Sequence, residues 1–273
     1  ILSWGLKRGD LPQGSIRIED GFVRSRGLGA KLVRPWSLVA DTRGIYFDPR
    51  QPSDLEYILQ NAEMPEGLLL RARKLRTLMV EREISKYNVG TADVSLPIPA
   101  GKRIVLVPGQ VEDDASIRVG TVEGLCRNID LLRAARVAEP DAFVIYKPHP
   151  DVEVGKREGA IAEGEAKAYC DLILRDVSIG VLWPKIDAIH TLTSLSGFEA
   201  LLRGKETYVY GKPFYAGWGL THDREKIPRR TRHLTIDQLV AGTLVLYPLY
   251  YDWQTGCSCS IETVIHRLSH SSR

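Results

Sequence analysis

From Arg103 onward the sequence alternates short apolar runs with longer amphipathic stretches, and almost every run ends in a polar turn. Arg103–Val107 is closed by Pro108-Gly109, Ala142–Tyr146 by Lys147-Pro148-His149-Pro150, and Ala188–Leu192 by Thr193-Ser194-Leu195-Ser196-Gly197. Runs this short and this apolar read as strands buried on both faces. Ile179–Val181 and Glu206–Tyr210 read as two more, with helices at Thr121–Ala138, Glu165–Leu174, Phe198–Arg203 and Ile236–Leu246. Strands alternating with helices predict an α/β fold with a parallel, doubly wound sheet.

The first hundred residues have a different texture. Ile16–Ile18 reads as a strand ending in the turn Glu19-Asp20-Gly21, and Leu38–Asp41 with Ile45–Phe47 as a hairpin about Thr42-Arg43-Gly44. Ser53-Asp54-Leu55-Glu56 has the capping-box pattern and opens a helix to about Asn61. Apolar residues at Leu68, Leu69, Ala72, Leu75, Leu78 and Met79 make Glu66–Glu83 an amphipathic helix. Pro97, Pro99 and Gly101 then break the periodicity, so the stretch 88–102 reads as a linker. A chain of 273 residues accommodates two modest α/β lobes. The expected division is an amino-terminal lobe over 1–95, a second lobe over 101–250, and a closing segment over 251–273.

Composition excludes several classes. With 44% hydrophobic and 26% charged residues the chain is neither disordered nor fibrous. A formal charge of +3 is too small to argue for nucleic acid. No apolar run approaches the roughly 20 residues of a spanning helix, and no secretory leader pattern is present. The first residue is Ile1 rather than Met, which fits a module of something longer. Of the four cysteines only Cys257 and Cys259 are close together, and no second pair accompanies them, so no metal site is expected. This sparse cysteine usage makes the cytosol, or the cytosolic face of a membrane, the default compartment.

In doubly wound sheets ligands sit beyond the carboxyl ends of the strands. The polar groups there are Gln110, Glu112, Asp113, Asp114 and Ser116; Lys147 and His149; Thr193, Ser194 and Ser196; and Tyr215, Trp218 and Asp223. In the first lobe they are Glu19, Asp20, Arg24 and Ser25. The Thr193–Gly197 turn opens a predicted helix, where free N–H groups and the helix dipole favour a phosphate. The plainer reading is an N-cap. Lys147 and His149 add two cations beside the same anion, and Pro148 and Pro150 stiffen their turn. The plainer readings are a solvated lysine and a buried histidine.

The run Glu112-Asp113-Asp114 is by itself a solvated or helix-capping face. Beside a phosphate site it suits glycosyl transfer, which needs one carboxylate at an oxocarbenium-like centre and another to manage a proton. Neither a Walker sequence nor a G-x-G-x-x-G fingerprint occurs, which counts against ATP and NAD. The aromatic loop Pro213–Leu220 reads either as a packed surface loop or as a wall stacking on a base or sugar.

These segments together resemble the KpsC capsule-biosynthesis proteins, retaining β-Kdo glycosyltransferases. The matching motifs run from Arg17–Ser25 and Gly27-Leu28-Gly29 through Gly44–Asp48 and Lys86-Tyr87-Asn88. They continue with Pro108–Ile117, Tyr146–Asp151, His190–Ala200 and the Phe214–Thr221 loop. The order is collinear over nearly the whole chain. The resemblance implies a GT-B-like fold of two Rossmann-like lobes with a cleft between them. It also implies CMP-Kdo as donor substrate with no further cofactor, and a Kdo residue on a phosphatidylglycerol-anchored linker as acceptor. A peripheral location at the inner face of the inner membrane follows from that acceptor.

By the same resemblance Asp114 is the nucleophile of a double displacement, with Asp20 the weaker alternative for that role, and Glu19 or Asp20 is the acid/base. Gln110, Lys147, His149, Pro150, Thr193, Ser194, Ser196, Gly197 and Glu199 hold the donor, with Glu199 on the ribose. Arg24, Ser25, Lys86, Asn88, Tyr215 and Trp218 meet the sugar or acceptor. KpsC proteins carry two such modules in tandem and this chain has room for one, so a second module is expected in the full-length protein. The wording of Pro108–Val111 and Lys86–Val89 leans toward the carboxy-terminal module. The family pattern extends upstream of Trp4, so the opening of the first lobe is expected to be absent. The rival expectations are a nucleotide-sugar hydrolase or epimerase, and a silent glycan- or lipid-binding module.

Overall fold

A computed structural model describes residues 1–7, 11–25, 33–85 and 96–270. The chain divides into two units, residues 1–89 with 230–273, and residues 90–229. The second unit therefore ends about twenty residues before the expected boundary at 250.

The second unit is built on six parallel strands: β4 Ile104–Pro108, β5 Phe143–Lys147, β6 Leu172–Ile173, β7 Ala188–Thr191, β8 Glu206–Val209 and β9 His222–Asp223. They lie in the order β6-β5-β4-β7-β8-β9. The first strand is central and the order reverses between β4 and β7, which is the dinucleotide-fold arrangement. Alternation along β4 explains the two cores. Val105 and Val107 face a cluster with Leu131, Leu132, Ala135 and Val144. Ile104 and Leu106 face Leu182, Trp183, Ile186 and Ala200 on the other side. Apolar side chains point both ways because helices cover both faces.

Several helices differ from expectation. The stretch 121–138 is helical only as α4, Asn128–Ala138, after α3, Ala115–Gly120; Val122 and Leu125 form an isolated bridge across a turn in which Gly124 has φ +79°. After α5 (Pro150–Glu153), α6 covers only Glu163–Lys167. Asp171 then draws the chain onto the sheet by exchanging hydrogen bonds with Val144, and β6 follows where a helix was expected. Ile179–Val181 is a 3-10 turn rather than a strand. Helix α7 spans Leu195–Leu202.

The first unit is not a parallel Rossmann-like sheet. Among the described residues its strands are β1 Leu2–Trp4, β2 Ile16–Asp20, β3 Ser37–Asp41, β10 Leu249–Asp252 and β11 Cys257–Ser258, in that order. Only β1 and β2 run parallel. Glu19 and Asp20 lie within β2 rather than in a turn. The expected hairpin is absent: Asp41 accepts from the N–H groups of Arg43, Gly44 and Asp54, coiling the chain after β3, while β3 pairs with β2 and β10. Helix α1, Asp54–Asn61, is capped by Ser53 Oγ, which accepts from Glu56 N at 3.0 Å.

Helix α2, Glu66–Glu81, packs on α8, Ile236–Val240, and on the π-helical turn Ala241–Leu246 that continues it. That packing is why residues 230–250 belong with the first unit. The Arg230 guanidinium, almost wholly buried, donates to the equally buried Glu56 carboxylate at 2.9 Å. Helix α9, Ile261–His270, closes the unit against β10.

Candidate functional site

The carboxyl ends of β5, β4 and β7 are neighbours in the second unit, and the loops leaving them carry most of the expected donor residues. The β4 loop accounts for the three acids separately. Glu112 accepts from Asn128 N at 2.7 Å and so caps α4. Asp113 is exposed and pairs with Arg157 at 3.0 Å. Asp114 caps α3: one oxygen accepts from Ser116 N at 2.8 Å and from the Ser116 hydroxyl at 2.7 Å. Its second oxygen has no hydrogen bond among the described residues. A cap fixes a carboxylate's position while leaving one oxygen for other work.

The β4 and β7 loops are joined by side chains. Gln110 donates from Nε2 to Thr193 Oγ1 and accepts from Thr193 N, both at 3.0 Å. Thr193 Oγ1 also approaches Ser116 Oγ at 3.3 Å. Behind Gln110 lies Asn128, 1% exposed, whose amide donates to the carbonyls of Gln110 and Gly159 and accepts from Gln110 N. Gly159 has φ +126°, and a Cβ there would collide with Asn128 and Gln110. Sequence reasoning missed Asn128 by placing it inside a longer helix; an Asn at a break in apolar periodicity is the signal of a helix start.

The β5 loop lies against the β4 loop. Gly109 N donates to the Lys147 carbonyl at 2.8 Å, and a Cβ on Gly109 would press on His149 N and Pro148 Cα. Lys147 is buried at 9% exposure, with no hydrogen bond among the described residues. Burial pulls its pKa down, opposed by Glu153 and Asp176. A desolvated, unbonded ammonium is a strong attractor for an anion.

His149 caps α5 by accepting from Asp151 N at Nδ1, 3.2 Å, with Pro150 in the first helical turn. That bond leaves the ring proton on Nε2. Burial lowers the pKa first; Asp151 raises it, Lys147 lowers it and Asp114 raises it. At neutral pH the ring is uncharged and offers an N–H donor, so the expected pair of cations is one cation and one neutral donor.

The Thr193–Gly197 turn is the N-terminus of α7. Ser194 caps it by accepting from Ser196 N at 3.2 Å, and Gly197 N donates to the Ser194 carbonyl. The Tyr215 hydroxyl donates to that same carbonyl at 2.5 Å. Tyr215 and Trp218 are both 0% exposed, and Trp218 Nε1 donates to Phe214 O at 2.8 Å. The aromatic loop therefore supports the turn from beneath, and neither ring presents a face to a sugar. Glu199, one turn further along α7, is buried.

In the first unit, Arg24 is 7% exposed and donates to Asp20 at 2.6 Å and to Ser25 Oγ at 3.0 Å. Ser25 is fully buried. Both side chains are turned to their own unit rather than offered to a sugar. Glu19 is half-buried and accepts from Asp20 N at 2.9 Å. Lys86 and Asn88 lie outside the described residues, as do Gly27, Leu28 and Gly29. No helix among the described residues is long and apolar enough to cross a membrane.

A six-stranded parallel sheet carrying a buried lysine, an imidazole donor and hydroxyl groups around its reversal point defines an α/β protein of the doubly wound class, with groups at its strand ends that can attract an anion and, among the described residues, one carboxylate oxygen without a hydrogen bond. The chain belongs to the capsule polysaccharide biosynthesis protein family, which matches residues 14–94 and 73–250. It is 52% identical over 248 residues to the capsule polysaccharide modification protein LipA of Neisseria meningitidis serogroup A / serotype 4A, covering 91% of this chain and 35% of LipA. It is 46% identical over 257 residues to the lipopolysaccharide-processing protein LpsZ of Rhizobium meliloti, covering 93% of this chain and 58% of LpsZ.

Among solved structures, Thermosulfurimonas dismutans KpsC, β-Kdo 2,7 transferase, superposes with TM-score 0.83 at 38% identity, covering 98% of this chain and 83% of that one. Thermosulfurimonas dismutans KpsC, β-Kdo 2,4 transferase, gives TM-score 0.87 at 33% identity, covering 98% and 86%.

Proposed function

We propose that this chain is a glycosyltransferase module that moves Kdo from CMP-Kdo to a Kdo residue on a lipid-anchored capsule linker, with retention of anomeric configuration. The observation that carries this reading is the meeting of Asp114, Lys147, His149 and Thr193 at adjacent strand ends in one unit. Likeness to solved Kdo transferases over 98% of the chain supports it.

In this reading the unbonded Asp114 oxygen attacks the anomeric carbon of the donor. The bond from that carbon to the phosphate oxygen breaks, and CMP departs with the electron pair. Lys147 supplies the charge that stabilises the leaving phosphate, and His149 Nε2–H and the Ser194 and Ser196 hydroxyls donate to it. Gly197 and Pro150 keep those turns close and stiff, Gln110 holds Thr193 in register, and Glu199 is the candidate for the ribose. The phosphate in turn raises the His149 pKa and strengthens its donor.

The acceptor hydroxyl then gives its proton to Glu19 and attacks the same carbon, releasing Asp114. Two inversions amount to retention. Asp20, paired with Arg24, is the alternative to Glu19 in this role. Lys86 and Asn88 complete the acceptor side in this reading, and Arg24 and Ser25 act through Asp20.

Incubation with CMP-Kdo and a Kdo-terminated lipid analogue tests the proposal. Extension of the analogue by one Kdo supports it. Release of free Kdo alone identifies a hydrolase instead. Absence of turnover together with no thermal stabilisation by CMP identifies a silent module, because a ligand that binds only the folded state must raise its stability.

A further inference from the structure

Strand β10 is built inside out. In a one-sided sheet the polar residues of an alternating strand face water. Here the inward residues are Tyr250 and Asp252, at 7% and 2% exposure, with Asp252 held by Arg267 at 3.0 Å. The outward ones are Leu249 at 64%, Tyr251 at 39% and, continuing the period, Trp253 at 42%. Across the sheet Leu38 is the register partner of Leu249, and Tyr251 N donates to the Trp36 carbonyl, so the apolar stripe is two strands wide.

The stripe is ordered. Tyr251 and Trp253 meet edge to face at 4.7 Å, and Trp253 Nε1 donates to the Pro35 carbonyl at 2.8 Å. It forms one wall of a groove of about 790 Å³ whose floor includes Leu244 and Ile261.

The charges around this face favour an anionic partner. Arg34 lies over the Trp253 ring at 5.2 Å and is exposed. Arg71 lines the groove and a second, adjoining one that also holds Lys74. Among the described residues the one acid lining the two grooves is Glu262, whose two oxygens accept from Nε and Nη2 of Arg71. With Arg71 paired to Glu262, Lys74 in the second groove and Arg34 beside Trp253 add positive charge to this face. Tryptophan and tyrosine with apolar bodies, flanked by arginine and lysine, are the side chains that settle at a lipid headgroup boundary.

We infer that the outward face of β10, with Leu249, Tyr251 and Trp253 entering the lipid and Arg34 and Lys74 meeting headgroups, docks this unit on an anionic phospholipid membrane. The inference is independent of the transferase reading, because binding is measured without turnover.

The test is co-sedimentation of the intact protein with phosphatidylcholine vesicles and with phosphatidylcholine–phosphatidylglycerol vesicles. Binding is expected to the anionic vesicles, weakening as salt is raised. The triple variant Leu249→Thr, Tyr251→Thr, Trp253→Thr should bind at least about tenfold more weakly, since it removes the inserted apolar surface while keeping β-compatible residues. Arg34→Ala, remote from the core, should weaken binding about fivefold, and serves if the triple variant does not fold.

Native protein that binds neither vesicle overturns the inference, as does equal binding by native protein and folded variants. A native dimer in solution that the triple variant dissociates, with no vesicle binding, assigns the face to a second copy instead.

Discussion

The side-chain amide of Gln110 spans from the β4 loop to the β7 loop and makes two hydrogen bonds to one residue, Thr193, through its hydroxyl and its backbone N–H. It bridges the point where the strand order reverses, the place in such sheets where a ligand enters. Gln110→Ala removes both bonds and leaves the Thr193 side chain with only its longer contact to Ser116 Oγ, at 3.3 Å. CMP affinity should fall about tenfold, on the scale of one or two hydrogen bonds at about 1 kcal/mol each. Titration calorimetry measures it. Unchanged affinity would mean that the bridge serves only folding.

Asp114 has a capping role and a proposed chemical one, and two substitutions separate them. Asparagine caps as well as aspartate does, so Asp114→Asn should melt near the native temperature, bind CMP within a few-fold, and transfer no Kdo. Asp114→Ala should lose transfer as well as about 1 kcal/mol of stability from the missing cap. Native transfer rates in the asparagine variant would remove Asp114 from the chemistry.

His190 makes stability depend on pH. It is 0% exposed, stacked on Tyr208, and bonded through Nδ1 to the Tyr210 hydroxyl at 2.9 Å. Burial, then the charges of Arg103 and His222, push its pKa down to about 4, with Glu139 3.8 Å from Nε2. The unfolded chain takes up this proton near pH 6.5 and the folded one only near pH 4. The stabilisation is therefore complete above pH 6.5 and is lost as pH falls through that window, by an amount on the order of 3 kcal/mol. His149, also depressed, adds in the same direction. Urea unfolding at stepped pH should show the decline, and His190→Phe should flatten much of it.

Glu56 and Arg230 form an ion pair whose side chains are 8% and 2% exposed. Removing Glu56 takes away the buried counter-charge of Arg230, so Glu56→Ala should destabilise by about 3–5 kcal/mol. Replacing both with apolar residues should cost much less. Equal losses in the single and double variants, measured by chemical denaturation, would show that the pair itself supplies the stability.

The sheet of the second unit was legible because β4, β5 and β7 are apolar on both faces, a pattern that few other environments tolerate. The residues at their ends were legible for the same reason, since the fold fixes where strand ends point. Less legible were segments decided by distant partners. Glu112 and Asp113 looked like a chemical cluster with Asp114, yet they serve Asn128 and Arg157, far along the chain.

Asp171 turns an apparent helix into strand β6 by bonding Val144, and no local signal announces it. Tyr215 and Trp218 carried the composition of a stacking wall, but burial makes them a foundation for the Ser194 turn. Composition reports that a loop can be buried or stacked upon; only packing decides which.

Mass spectrometry of the protein after brief exposure to CMP-Kdo without acceptor is the most direct test of the proposed chemistry. The account predicts one added Kdo on the peptide containing Asp114, absent in Asp114→Asn and discharged when acceptor is supplied. An adduct on another carboxylate, or full transfer by the asparagine variant with no adduct, would contradict it.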